Sequence, residues 1–120
     1  MNFFRSRARS FAHAIRGLFL LFRTQKNARI HLVATAIVVS MGIYFSISYL
    51  EWLFLTIAIT SVLIAEALNT AIEFLGDAVT RKQNSLIGKA KDVAAGAVLI
   101  SAIGAGITGL IIFLPRVLGS

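Results

Sequence analysis

Residues 30–50 read IHLVATAIVVSMGIYFSISYL, 21 positions without a lysine, arginine, aspartate or glutamate. A helix rises 1.5 Å per residue, so about 20 apolar residues cross the ~30 Å hydrocarbon core of a bilayer. Two later stretches have the same character. Residues 52–76, WLFLTIAITSVLIAEALNTAIEFLG, carry only Glu66 and Glu73 as charges, and residues 93–115, VAAGAVLISAIGAGITGLIIFLP, carry none. None of the three alternates apolar and polar with period two, which sets aside barrel strands and leaves helices. The predicted fold is an all-α integral membrane protein. Its three transmembrane helices cover 30–50, 53–76 and 93–115, with a polar loop over 77–92.

Composition agrees. A chain of 120 residues has room for one domain. Charged residues make up 14% and hydrophobic residues 58%; soluble domains carry about 25% charged residues. Disordered chains are poor in apolar residues, so disorder is excluded as well. With no cysteine there is no disulfide framework, thiolate metal site or cysteine nucleophile. A net charge of +7 on so apolar a chain points to anionic lipid or phosphate and not to nucleic acid.

Seven of the twelve basic residues precede residue 30, and four more lie at 81, 82, 89 and 91. The positive-inside rule therefore puts the N-terminus and the 77–92 loop in the cytoplasm and the C-terminus on the far side, where Arg116 is alone. The apolar run Leu18 to Phe22 is too short for a signal-peptide core, so no cleaved leader is expected. Residues 1–29 form a separate element. At 100° per residue Arg5, Arg9, Arg16 and Arg23 share one sector, and Phe4, Phe11, Ile15, Leu18 and Phe22 share another. That is a basic amphipathic helix lying in the membrane interface.

The two carboxylates of the second span carry the functional signal. Each costs roughly 2.5–3.5 kcal/mol at membrane depth. They are seven residues apart and share a helix face, with Asn69 and Thr70 between them and Asp77 one turn on. Ile64, Leu68, Ile72 and Leu75 make the opposite face apolar. Such a stripe can glue helices together, carry protons or cations, or bind Mg²⁺ or Mn²⁺ through oxygen. The loop also brings Lys91 and Asp92 to the start of the third span, beside the stripe. Lysines next to carboxylates suit a metal-bound phosphate. Gly88-Lys89 lacks both the upstream glycine and the following Ser/Thr of a Walker A loop, so a nucleotide would need another device. The rival reading is a small ion- or proton-coupled transporter using Glu66 and Glu73. A holin-like pore is a third. Ala97, Ser101, Ala105 and Gly109 form a small-residue ridge for close helix packing, within or between subunits. His13 and His31 read as interfacial or helix-terminal residues.

The run Glu66-Ala67-Leu68-Asn69-Thr70-Ala71-Ile72-Glu73, followed by Asp77 and then Ala90-Lys91-Asp92, resembles the small prokaryotic diacylglycerol kinase family. Asn27-Ala28-Arg29-Ile30-His31 resembles its undecaprenol-kinase-like branch, and the likeness extends from about Phe11 to Pro115. The resemblance implies a homotrimer in the bacterial inner (cytoplasmic) membrane. It implies transfer of the γ-phosphate of ATP, with Mg²⁺, to the hydroxyl of a membrane lipid alcohol, undecaprenol or diacylglycerol. By the same resemblance Glu66 is the general base and contacts the lipid, and Asn69 supports catalysis. Glu73 binds the metal. Asp77, Lys82, Gln83, Asn84, Lys91 and Asp92 serve the nucleotide, and Arg16 serves the lipid substrate. Gln25 stands where many members have a metal-binding glutamate, and its amide oxygen is the weaker Mg²⁺ ligand.

Overall fold

The computed structural model describes residues 2–119 and consists of four helices: α1 (Phe3–Thr24), α2 (Lys26–Tyr44), α3 (Tyr49–Val79) and α4 (Ser85–Val117). There is no strand among the described residues. Three helices, α2 to α4, are long and apolar enough to cross a membrane.

Asn2 starts α1 by accepting the Arg5 backbone N–H at 2.8 Å. Phe4, Phe11, Ile15 and Leu18 stand exposed along it, an apolar face that the rest of the chain does not cover. One extended residue, Gln25 (φ −109°, ψ 113°), turns the chain from α1 into α2. The last carbonyls of a helix need donors from outside it. Here the Arg29 guanidinium supplies them, donating to the carbonyls of Phe22 and Arg23 at 3.0 Å each. Leu21 and Ala28 are buried at this corner.

α2 stops at Tyr44, six residues short of the end of the apolar run. Ser46 adopts a left-handed conformation (φ 52°), which no helix continues through. Ser48 and Glu51 then form a capping box that starts α3: the Glu51 N–H donates to the Ser48 hydroxyl at 3.2 Å, and the Ser48 N–H to Glu51 Oε1 at 2.9 Å. Tyr49 and Leu50 thus belong to α3. The turn is tightly packed, since a Cβ on Gly42 would lie 2.6 Å from the Trp52 ring. Beside it Ile47, Leu55, Ile112 and Phe113 form the buried core cluster.

At the other end the expected 77–92 loop contracts to residues 80–84. α3 runs on past Asp77, and Asn84 opens α4 by accepting the N–H groups of Leu86 and Ile87 at 3.0 and 3.1 Å. With 31 and 33 residues, α3 and α4 are about 46 and 50 Å long, whereas the 19-residue α2 is about 28 Å. α3 and α4 are an antiparallel pair, fastened at the Tyr44 end by a two-pronged contact: Arg116 Nη1 and Nη2 donate to Glu51 Oε2 and Oε1 at 2.8 and 2.7 Å. The arginine that stands alone in the charge count has a carboxylate partner 65 residues away.

The molecule is flat, 54 × 44 × 21 Å, with a radius of gyration of 17.8 Å; a compact chain of this length would give about 14 Å. Gly109 of the small-residue ridge and its neighbours Gly104 and Gly106 are not packed against another helix of this chain. A Cβ added to Gly104, Gly106 or Gly109 would meet nothing within 4 Å.

Candidate active site

The polar stripe on α3 resolves into two tiers. The inner tier is Glu66, Asn69 and Thr70. Glu66 is 2% exposed and Thr70 4%, the two buried polar residues among those described. Helix spacing places Glu66 and Thr70, four apart, on the buried side with Val62 and Leu55. Glu66 Oε2, Asn69 Oδ1 and Thr70 Oγ1 are all buried without a hydrogen-bond partner. Leaving a buried polar atom unsatisfied costs about 1–3 kcal/mol, so these three atoms are the ones a bound molecule or a further chain would be expected to engage.

An ionisable neighbour of Glu66 comes from α2. His31 Nε2 lies 3.2 Å from Glu66 Oε2, close enough for an ion pair but without the alignment of a hydrogen bond. The sequence alone presents His31 as a helix-terminal residue. The available signal is the buried carboxylate on the next helix, because an acid at that depth needs a partner.

The outer tier is Glu73, Asp77 and Lys91. Glu73 and Asp77 stand one turn apart on α3, and Lys91 reaches them from the first turns of α4. Its Nζ lies 2.8 Å from Asp77 Oδ1 and 3.4 Å from Glu73 Oε2. Gly76 makes the approach possible, since a Cβ there would come within 3.0 Å of Lys91 Cε and Ile87 Cγ2. All three side chains are partly exposed, at 27% for Lys91, 42% for Glu73 and 45% for Asp77.

The helical rise sets the depth of each tier. His31 is five residues into α2, about 8 Å from its start, and fixes the depth of Glu66. Glu73 is seven residues and Asp77 eleven residues beyond Glu66 on α3, about 10 and 16 Å further out. The start of α2 thus lies between the tiers, with Glu66 inside it and Asp77 beyond it.

The remaining sequence-predicted residues surround this axis. Asn69 lines an apolar groove of about 770 Å³ between α3 and α4, together with Leu68, Lys89 and Ala97. Asp92, next to Lys91, is exposed. Lys82, Gln83 and Asn84 form the exposed turn between α3 and α4, where the Lys82 N–H donates to the Thr80 hydroxyl and Asn84 caps α4. Gln25 sits at the α1–α2 corner and its side-chain nitrogen donates to the Thr24 hydroxyl at 3.1 Å. Arg16 is exposed on α1 with its Nη1 3.1 Å from His13 Nδ1. Its neighbour Gly17 lines a cavity of about 280 Å³ between α1 and α3 that Thr70 also lines. The structure therefore joins Glu73, Asp77 and Lys91 directly and sets Glu66, Asn69 and Thr70 below them. It shows no hydrogen bond or ion pair from Arg16 or Gln25 to either tier.

The donor chemistry fits a magnesium ion shared with phosphates. Among the described residues no three Asp, Glu or His side chains gather into a metal cage. Mg²⁺ is held in nucleotide sites by one or two carboxylates plus phosphate oxygens, and the outer tier has the carboxylates for such a site.

The chain thus sets a buried acid, contacted by His31, below a lysine-held carboxylate pair. Comparison with known proteins gives the family. Residues 12–113 match the family described as prokaryotic diacylglycerol kinase. The chain is 41% identical over 108 residues to the undecaprenol kinase of Bacillus subtilis (strain 168), covering 90% of this chain and 88% of that one. It is also 41% identical over 113 residues to the diacylglycerol kinase of Synechocystis sp. (strain ATCC 27184 / PCC 6803 / Kazusa), covering 91% of this chain and 63% of that one. The chain belongs to the prokaryotic diacylglycerol kinase family. It is a membrane lipid kinase, which replaces the transporter and pore readings.

Proposed function

We propose that the chain transfers the γ-phosphate of ATP to the hydroxyl of undecaprenol at the cytoplasmic face of the inner membrane, with its N-terminus in the cytoplasm. The observation that carries this reading is the position of Glu66: a buried carboxylate touched by His31 and without a hydrogen-bond partner on Oε2, just inside the start of α2, below the Glu73–Asp77–Lys91 cluster. A lipid alcohol holds its hydroxyl at that shallow depth, while the outer tier stands in water where ATP arrives. Undecaprenol is favoured over diacylglycerol by the near full-length match to an undecaprenol kinase.

The division of labour follows the two tiers. Lys91, with Asp92 and the Lys82–Asn84 turn, orients the nucleotide phosphates. Glu73, with the Gln25 side-chain amide oxygen, would hold Mg²⁺, which neutralises phosphate charge when bound. Glu66 accepts the hydroxyl proton as the lipid oxygen attacks the γ-phosphorus in line, and Asn69 supports the hydroxyl from the same helix turn. Arg16 lies on the amphipathic helix where the lipid headgroup enters. Catalysis is then mostly positioning and charge neutralisation. The uncovered apolar face of α1 and the unpacked glycines of α4 fit an assembly of copies, which we take to be the homotrimer.

The test is phosphate transfer from labelled ATP with Mg²⁺ in detergent micelles holding undecaprenol or diacylglycerol. Label on undecaprenol is expected. Preference for diacylglycerol would overturn the substrate assignment and keep the mechanism. Glu66→Gln is expected to abolish turnover in a folded protein, by roughly 10²-fold or more if it is the base; full activity would remove Glu66 from that role.

A further inference from the structure

The geometry points to His31 as the proton exit of the site, a residue that acts through Glu66. This inference rests on Glu66 being the base. Phosphate transfer to an alcohol breaks the lipid O–H bond and the bond from γ-phosphorus to the β–γ bridging oxygen. It forms the new P–O bond and releases one proton. That proton lands on a Glu66 carboxylate oxygen, and Glu66 is only 2% exposed. Water does not reach it freely, yet the carboxylate must be ionised again before the next lipid is attacked.

His31 Nε2 is 3.2 Å from Glu66 Oε2, and its side chain is 24% exposed against 3% for that of Glu66. The imidazole is thus in contact with the buried acid on one side and open to its surroundings on the other. It lies about 8 Å along α2 from the start of that helix. An imidazole can accept a proton at one ring nitrogen and release one from the other, which a relay requires. The proton passes from Glu66 Oε2 to the Nε2 lone pair, and the resulting imidazolium loses a proton to interfacial water. Atoms and charge balance without another reactant. The contact is close but not aligned, so transfer needs the ring to turn. Space is at hand: His31 lines a cavity of about 240 Å³ between α2, α3 and α4, walled by Ala34, Ala58, Ala102 and Gly106.

The experiment measures ATP-dependent phosphorylation of undecaprenol in micelles by His31→Ala, His31→Gln and Glu66→Gln, with and without added imidazole. The expected result is a fall in kcat of about 10²-fold in both His31 variants, at the low end for a proton-transfer group, with KM for ATP unchanged. Imidazole should restore His31→Ala in a saturable way, because truncation enlarges the adjoining cavity. His31→Gln should stay slow, since an amide can hydrogen bond to Glu66 but cannot carry the proton. Wild-type kcat in His31→Gln, or no response of His31→Ala to imidazole, would overturn the relay. Glu66→Gln run alongside separates the two ideas. If it is active, the base assignment falls and takes the relay with it. If it is inactive while His31→Gln is fast, the relay alone falls.

Discussion

At the residue scale the decisive feature is Lys91, one ammonium shared by two carboxylates one turn apart. Removing it takes away the cation that Glu73 and Asp77 share and, under the proposed mechanism, a positive charge from the phosphate site. Lys91→Met is expected to lower kcat/KM for ATP by roughly 10²-fold, in keeping with the loss of one preorganised charge at a transferring phosphoryl group, while the helical content by circular dichroism stays the same. An unchanged kcat/KM would mean that Lys91 only ties α3 to α4. Much of this site is legible in the sequence. The seven-residue spacing of Glu66 and Glu73 and the Asp77 that follows put the acids on one stripe, and the position of Lys91 puts it near their end. Two things are not legible. His31 is 35 residues from Glu66 in the chain, so only the packing of α2 on α3 reveals the pair. The split into tiers is hidden too, because a helix-face argument gives azimuth and not depth relative to a neighbouring helix.

At the scale of elements the connections decide how the helices pack. The α2–α3 turn works only because Gly42 lets the Trp52 ring lie against the α2 backbone. Gly42→Ala would force a methyl to within 2.6 Å of that flat, stiff ring. We expect it to destabilise the fold by about 1–3 kcal/mol, the usual range for overpacking, seen as a lower midpoint of thermal aggregation in detergent. An unaltered midpoint would show that the turn has slack. The three apolar runs announce α2, α3 and α4, and the arginine spacing announces α1. The helix ends are less legible. Hydropathy marks where residues avoid water, not where backbone hydrogen bonds stop. α2 therefore ends early, ahead of the left-handed Ser46, while α3 and α4 extend beyond their apolar stretches, α3 through Asp77 and α4 back to Ser85. In the sequence Arg29 and Arg116 are flanking charges; in the fold Arg29 caps α1 and Arg116 holds Glu51.

At the scale of the whole molecule the helices are unequal. α2 is about 28 Å long, close to one hydrocarbon thickness, while α3 and α4 exceed it by roughly 18 and 21 Å. The excess at the Asp77 end carries the outer tier beyond the start of α2. We expect this inequality to make the enzyme a gauge of bilayer thickness. In vesicles of short-chain lipids α2 fits with little tilt, and both tiers keep their proper media. As acyl chains lengthen, the hydrocarbon slab outgrows α2 and rises toward Glu73 and Lys91, at a cost of fractions of a kcal/mol per ångström of mismatch. KM for ATP is expected to climb across a series of phosphatidylcholine vesicles of increasing chain length, and a flat profile would show that the slab deforms around the protein instead. Membrane composition would then set the rate of this kinase without any regulatory ligand.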